Sequence, residues 1–241
     1  MDFLFQPETY ISLITLTFLE IVLGIDNIIF ISIITDRLPE ENQKRIRTIG
    51  LLLALVMRII LLSLITFIIQ LKEPLFTLSE HAVSVRDVIL FLGGTFLLAK
   101  SVSEIHEKTE GGHENKISAK KHSVGYVIMQ ILLLDIVFSF DSILTAIGLS
   151  NRLAIMITAL VIAMIAMIYF VEIISRFIKQ HPTFQVLALS FLILIGFMLI
   201  LDGFNFEIPK GYIYFALFFS VMVEVINTKV RKKAKRSDQI T

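Results

Sequence analysis

Two stretches decide how this chain reads: Glu20-Ile-Val-Leu-Gly-Ile-Asp26-Asn27-Ile28 and Asp135-Ile-Val-Phe-Ser-Phe-Asp141-Ser142-Ile143. Each sets two acidic residues six apart in an otherwise apolar run, and the second follows the first by 115 positions. Extended over 20–38 and 135–153, six of nineteen aligned positions are identical, among them Asp26/Asp141 and Arg37/Arg152. Apolar matches are cheap in such a sequence, but a shared acidic register is not. A fainter echo pairs Gly94 with Gly196 within similar leucine frames.

The surroundings of these stretches point to a bilayer. Of 241 residues, 56% are hydrophobic and 18% charged, with a mean hydropathy of +0.82; soluble domains carry about 25% charged residues. The apolar excess falls in blocks long enough to span a membrane. A soluble enzyme, a disordered tail and a nucleic-acid module are therefore excluded. Cysteine is absent, which removes disulfides, thiolate metal sites and thiol chemistry together.

Seven spans are expected, at 10–34, 48–71, 85–102, 124–148, 153–178, 186–201 and 212–228. They leave no room for an extramembrane domain. All should be helices, because lipid offers backbone groups no other single-segment way to pair, so the expected fold is an all-α, polytopic membrane protein. The first span is no signal peptide, since the first basic residue is Arg37. Alternate connectors and the tail hold 17 of the Lys and Arg residues, the opposite connectors only 4. With the amino terminus outside and the carboxyl terminus in the cytoplasm, the 17 lie inside, as the positive-inside rule requires. Repeat A then covers 10–102, a cytoplasmic linker 103–123 and repeat B 124–201. An extra helix at 212–228 and a basic tail at 229–241, an anchor for anionic lipid, complete the chain. Three spans is an odd number, so the two repeats face opposite ways, an architecture that puts binding sites near midplane.

The acids in the spans carry the chemistry. Glu20, Asp26, Asp135, Asp141 and Glu224 all lie deep within them. Each costs about 2.5–3.5 kcal/mol near a helix centre, so they must be neutralised by protons, by Arg58 or by a bound cation. Arg58 reads either as a counter-ion for an empty site or as a fixed structural partner. Positions six apart on a helix differ by about 9 Å of rise and ~120° of rotation. Glu20 and Asp26 therefore cannot grip one ion unless the helix opens, with Gly24 the place for it. Ligands must come from both repeats, with Asn27 and Ser142 beside the acids, and Glu224 and Asn227 of the last span expected near the level of Asp26. All five His residues fall outside the spans. The remaining oxygen ligands suit Mn2+, Mg2+ or Ca2+ and disfavour Zn2+ and Cu+. Met57, Met129 or Met222 would add one softer ligand, although methionine in a span is usually packing.

At these residues the sequence resembles the TerC family of integral membrane proteins, named for an association with tellurium resistance. The blocks that carry the resemblance are Glu20 to Asn27, Asp135 to Ser142, Arg58, and Pro209-Lys-Gly-Tyr-Ile-Tyr leading to Glu224-Val-Ile-Asn227. The resemblance implies Mn2+ efflux across the bacterial cytoplasmic membrane, or supply of metal to exported proteins. It makes Asp26, Asn27, Asp141, Glu20 and Asp135 the metal-site candidates. None of the appended cytoplasmic domains of some relatives is expected.

The expectation is thus a multi-pass secondary transporter of the cell membrane that exports a divalent cation, manganese first among them. It is not an enzyme and has no resident cofactor. Its partners would be membrane lipids, the divalent cation and protons as a candidate coupling ion; a homo-oligomer is left open. Two rivals stand beside it. A non-transporting scaffold in metal or tellurite stress predicts no flux. An intramembrane aspartyl protease needs two facing acids, which leaves three surplus. Two weaker features are read blandly: Glu172 and Arg176, four apart, as an interfacial ion pair, and the acidic, His-containing stretch from Glu104 to His122 as a solvated connector.

Overall fold

The computed structural model describes residues 7–64, 74–78, 81–110, 123–149, 152–206 and 208–237. They form seven helices: α1 (Pro7–Thr35), α2 (Glu40–Ser63), α3 (Val85–Glu110), α4 (Val124–Leu149), α5 (Leu153–Gln180), α6 (Pro182–Gly203) and α7 (Lys210–Ser237). Among the described residues six of them are long and apolar enough to cross a membrane, and α4 is apolar over Val124–Ser139. The all-helical expectation needs one amendment. An antiparallel hairpin of β1 (Pro74–Leu78) and β2 (His81–Ser84) leads into α3.

The helix boundaries follow local chemistry. Pro39 precedes α2, and Glu40 and Glu41 in its first turn favour the helix dipole. Ser84 and Asp87 cap α3 reciprocally: the Ser84 amide donates to Asp87 Oδ2 at 2.8 Å, and the Asp87 amide donates to Ser84 Oγ at 3.3 Å. Pro182 opens α6 at a position where its missing N–H costs nothing. Asn205, with φ of 62°, follows α6 in the left-handed region that asparagine tolerates.

Several boundaries differ from the hydropathy reading. α2 begins well before residue 48, because Gln43 and Arg47 in its first turns are buried and hydrogen-bonded while the other polar residues there face outward. Gln43 Nε2 donates to the Leu38 carbonyl at 2.9 Å, Arg47 Nη2 donates to Gln43 Oε1 at 3.2 Å, and Arg47 Nη1 lies 3.9 Å from Glu172 of α5. Glu172 thus faces Arg47 across a helix interface instead of pairing with Arg176 on its own helix. α3 runs on to Glu110, into the stretch read as a linker, because Glu104 turns inward to Arg37. The basic tail continues α7 as helix to Ser237. The expected end of the second span at 65–71 lies outside the described residues.

Burial places α1 at the centre. Every residue from Asp26 to Thr35 is buried, as expected of a helix that is apolar all round. α1 packs chiefly against α5, α2 against α4 and α5, and α3 against α6. Phenylalanines such as Phe215 and Phe218 of α7 stay exposed, where lipid is the solvent. Gly24 does not open α1. The helix is continuous, and a Cβ at Gly24 would collide with the sulfur of Met167 on α5.

The α3–α6 contact is reciprocal. A Cβ on Gly94 would lie 2.5 Å from the Gly196 carbonyl oxygen and 2.9 Å from the Ile200 nitrogen. One on Gly196 would lie 2.9 Å from the Gly94 oxygen and 3.0 Å from the Leu98 nitrogen. Membrane helices, lacking a hydrophobic drive to associate, gain from such close backbone approach. Gly94→Val should therefore lower stability in detergent by about 1–3 kcal/mol or more, seen as a lower thermal midpoint. Gly211→Ala, with nothing within 4 Å of the added atom, should melt like the parent. Equal midpoints for all three proteins would contradict the packing.

Candidate functional site

Arg58 reaches from α2 into the space between α1 and α4. Its Nη1 donates to Glu20 Oε2 at 3.0 Å, while Nε and Nη2 both donate to Asp135 Oδ1, at 3.0 and 2.8 Å. The same Oδ1 accepts a long hydrogen bond from Asn27 Nδ2 at 3.5 Å, and Asp135 Oδ2 accepts one from Ser139 Oγ at 3.3 Å. Arg58 is 2% exposed, Glu20 6% and Asp135 5%. Two carboxylates face one guanidinium, so the cluster is one negative charge in excess if all three ionise. Charge-assisted bonds of this kind are about twice as strong as neutral ones, and burial makes their loss costly.

The two acids that Arg58 joins are those that open the two related stretches, Glu20 and Asp135. Asn27 belongs to the same cluster. Ser139, four residues beyond Asp135 on one helix face, went unnoticed in the sequence, although that spacing is the available signal. Beside Glu20 lies a cavity of about 10 Å³ bordered by Leu16, Leu62, Ile143 and Leu160, room for one water.

Asp26 is also buried, on a different face of α1 from Glu20. Tyr214, from the first turns of α7, lies within electrostatic reach of it. Glu224 and Asn227, expected at that level, come ten and thirteen residues after Tyr214 on α7. Ile208, Ile213 and Tyr214 pack against the central core, so the beginning of α7 meets the bundle. Further along, Glu224 is half-buried and Asn227 exposed. Ser142 is buried and donates back to its own helix, to the carbonyls of Phe138 and Ser139 at 3.2 and 3.3 Å. Asp141 belongs to α4, but its side chain lies outside the described residues. Met129 and Met222 are exposed and take no part. Among the described residues no three His, Asp or Glu side chains are grouped to hold a metal ion; Arg58 engages two of the acids that such a group would use.

The family model of the integral membrane protein TerC family matches residues 5–239. The chain belongs to the TerC family. It is 49% identical over 228 residues to the UPF0053 inner membrane protein YgdQ of Escherichia coli K12, covering 95% of this chain and 96% of that one. A UPF0053 protein of Haemophilus influenzae is 48% identical over 236 residues, covering 97% of this chain and 99% of that one. The UPF0053 inner membrane protein YoaE of Escherichia coli K12 is 46% identical over 237 residues, 96% of this chain. The chain spans only 45% of the length of YoaE. No solved structure matches. With these relatives and its apolar helices, this TerC-family chain is a multi-pass protein of the cell membrane.

Removing Arg58 alone leaves two carboxylates buried without their counter-ion, a loss that typically costs 3–5 kcal/mol. Arg58→Met should therefore destabilise the protein strongly in detergent, and adding Glu20→Gln with Asp135→Asn should restore most of the loss. Failure of the triple variant to recover, in a thermal or denaturant melt, would show that the cluster is not the source of the cost.

Proposed function

We propose that the chain is a secondary transporter, not an enzyme, that exports a divalent cation, manganese first among them, by way of the carboxylates of α1 and α4. The observation that carries this reading is the burial of Glu20, Asp26 and Asp135 in the interior of a membrane protein with Arg58 as the one basic residue among them. Acids at this depth are expensive and mark ion pathways. Their oxygen donors, joined by the Asn27 amide, with no Cys in the chain and no His grouped with them among the described residues, suit a hard divalent cation.

On this reading the two related stretches are inverted repeats, with the amino terminus outside and the carboxyl terminus in the cytoplasm. The reciprocal approach of Gly94 and Gly196 supports a two-fold relation, as does the way α1 sits on α5 while α2 sits on α4. Arg58 serves as the counter-ion of the substrate-free state, hydrogen-bonded to Glu20 and Asp135 when no cation is bound. A cation arriving near Asp26 and Asp141 adds the charge that the cluster lacks. A net negative interior admits a cation, and rocking of the repeats would release it outward. Protons remain a candidate coupling ion, taken up by empty carboxylates in a low dielectric.

The test is flux. Purified protein in vesicles should move Mn2+ down a gradient, Asp26→Asn should reduce the rate by about tenfold or more (roughly 1.4 kcal/mol of barrier), and cells lacking the protein should hold more manganese. Vesicles with folded protein and no flux of Mn2+, Mg2+ or Ca2+ would favour a membrane scaffold instead.

A further inference from the structure

The bundle divides into two parts. α3 and α6 clasp each other through their glycines, whereas α1, α2, α4 and α5 pack among themselves and meet the α3–α6 pair along thinner contacts. The acids of the site lie on α1 and α4, in the second part. A charged cluster crosses the seam near the carboxyl ends of α1 and α3. Arg37, in the turn after α1, lies 2.7 Å from Glu104 Oε2 and 2.6 Å from Glu107 Oε2 on α3. Lys100 Nζ lies 3.4 Å from Glu104 Oε1. Burial disfavours the charge on Arg37, but hydrogen bonds and the charges of the two glutamates more than offset it and raise its pKa above the ordinary value. Glu104 is 4% exposed, although it stands on the last turns of a helix that ends in a polar connector.

Beneath this cluster is a cavity of about 10 Å³ between Phe30 and Ile34 of α1, Ser101 and Glu104 of α3, and Leu189 of α6. Ser101 Oγ is buried at this wall and makes no hydrogen bond among the described residues, and Glu104 Oε1, buried beside it, has the Lys100 ion pair but no hydrogen bond. A hydroxyl left without a hydrogen bond at a seam marks a place that water reaches in another arrangement of the helices. Phe30 is one helical turn beyond Asp26, so a path opened here would lead along α1 toward the acids.

We infer that Arg37, Glu104 and Glu107 form a salt-bridge latch that closes the seam between α1 and the α3–α6 pair, and that the inner path to the α1 acids opens when these ion pairs break. The inference rests on the transport reading, but it can be tested without flux. Because the chain has no cysteine, Ser101→Cys introduces a single thiol at the cavity, and Ala146→Cys a second reporter at the cavity beside Glu20. Each is labelled in vesicles by a small, charged methanethiosulfonate, from the side it faces.

In the parent background Ser101→Cys should label slowly. Arg37→Gln should raise its rate by about tenfold, as expected if the open population rises that much. Glu107→Gln, a change at an exposed position, should give a smaller rise, and Arg37→Lys should fall between parent and Arg37→Gln. Ala146→Cys should keep its rate in all backgrounds. Unchanged labelling of Ser101→Cys in both Arg37→Gln and Glu107→Gln would overturn the latch, as would an equal rise at Ala146→Cys, which would mean general loosening. The expected labelling pattern in vesicles without Mn2+ flux would uphold the latch and sink the transport reading. Flux without the labelling pattern would do the opposite.

Discussion

A single guanidinium holds the middle of this protein together. Arg58 satisfies one carboxylate from α1 and one from α4, and in a membrane interior there is no water to take its place. Any of the three groups alone would cost several kcal/mol in lipid; together they are hydrogen-bonded and share their charge. The cluster thus fixes how α1, α2 and α4 meet. Its arginine has no basic counterpart in the second half of the chain. At either offset, 115 or 102, the residue matching Arg58 is Ile173 or Leu160, so one basic residue serves both acids.

The rest of the packing answers the same shortage of driving force. Between membrane helices, burying one more leucine gains little, since lipid is as apolar as the core. Helices are held instead by close backbone approach and by polar pairs. Gly94 and Gly196 do the first for α3 and α6. Arg47 with Gln43 and Glu172, and Ser32 with Ser175, do the second for α2 with α5 and α1 with α5. α7, with Phe215, Phe218 and Phe219 exposed, has few such ties beyond its first turns.

The molecule has two charged seams. One, at Arg58, sits among the acids. The other, at Arg37, joins α1 to α3 near the carboxyl ends of both helices. At the Arg37 seam, where Glu107 is exposed, water or a competing ion can replace the pairs, whereas the glycine clasp between α3 and α6 is backbone against backbone. A small cavity adjoins each seam.

The sequence by itself determined the number and rough extent of the apolar helices, the related acidic stretches, the burial of Glu20, Asp26 and Asp135, and the family. These depend on composition and spacing, which every residue carries with it wherever the chain goes. The separation of Glu20 from Asp26 was equally legible, because helical rise and rotation are fixed. Only the tertiary structure decided which charges neutralise which. Nothing in the spacing says that Arg58 takes Glu20 and Asp135 together, that Glu172 turns to Arg47, or that Glu104 folds inward to Arg37. The same holds for Gly24, which makes room for Met167 instead of opening α1, and for Tyr214, which lies within electrostatic reach of Asp26. Each of these depends on which faces of separate helices meet, and long side chains choose partners by distances that close only after the helices have packed.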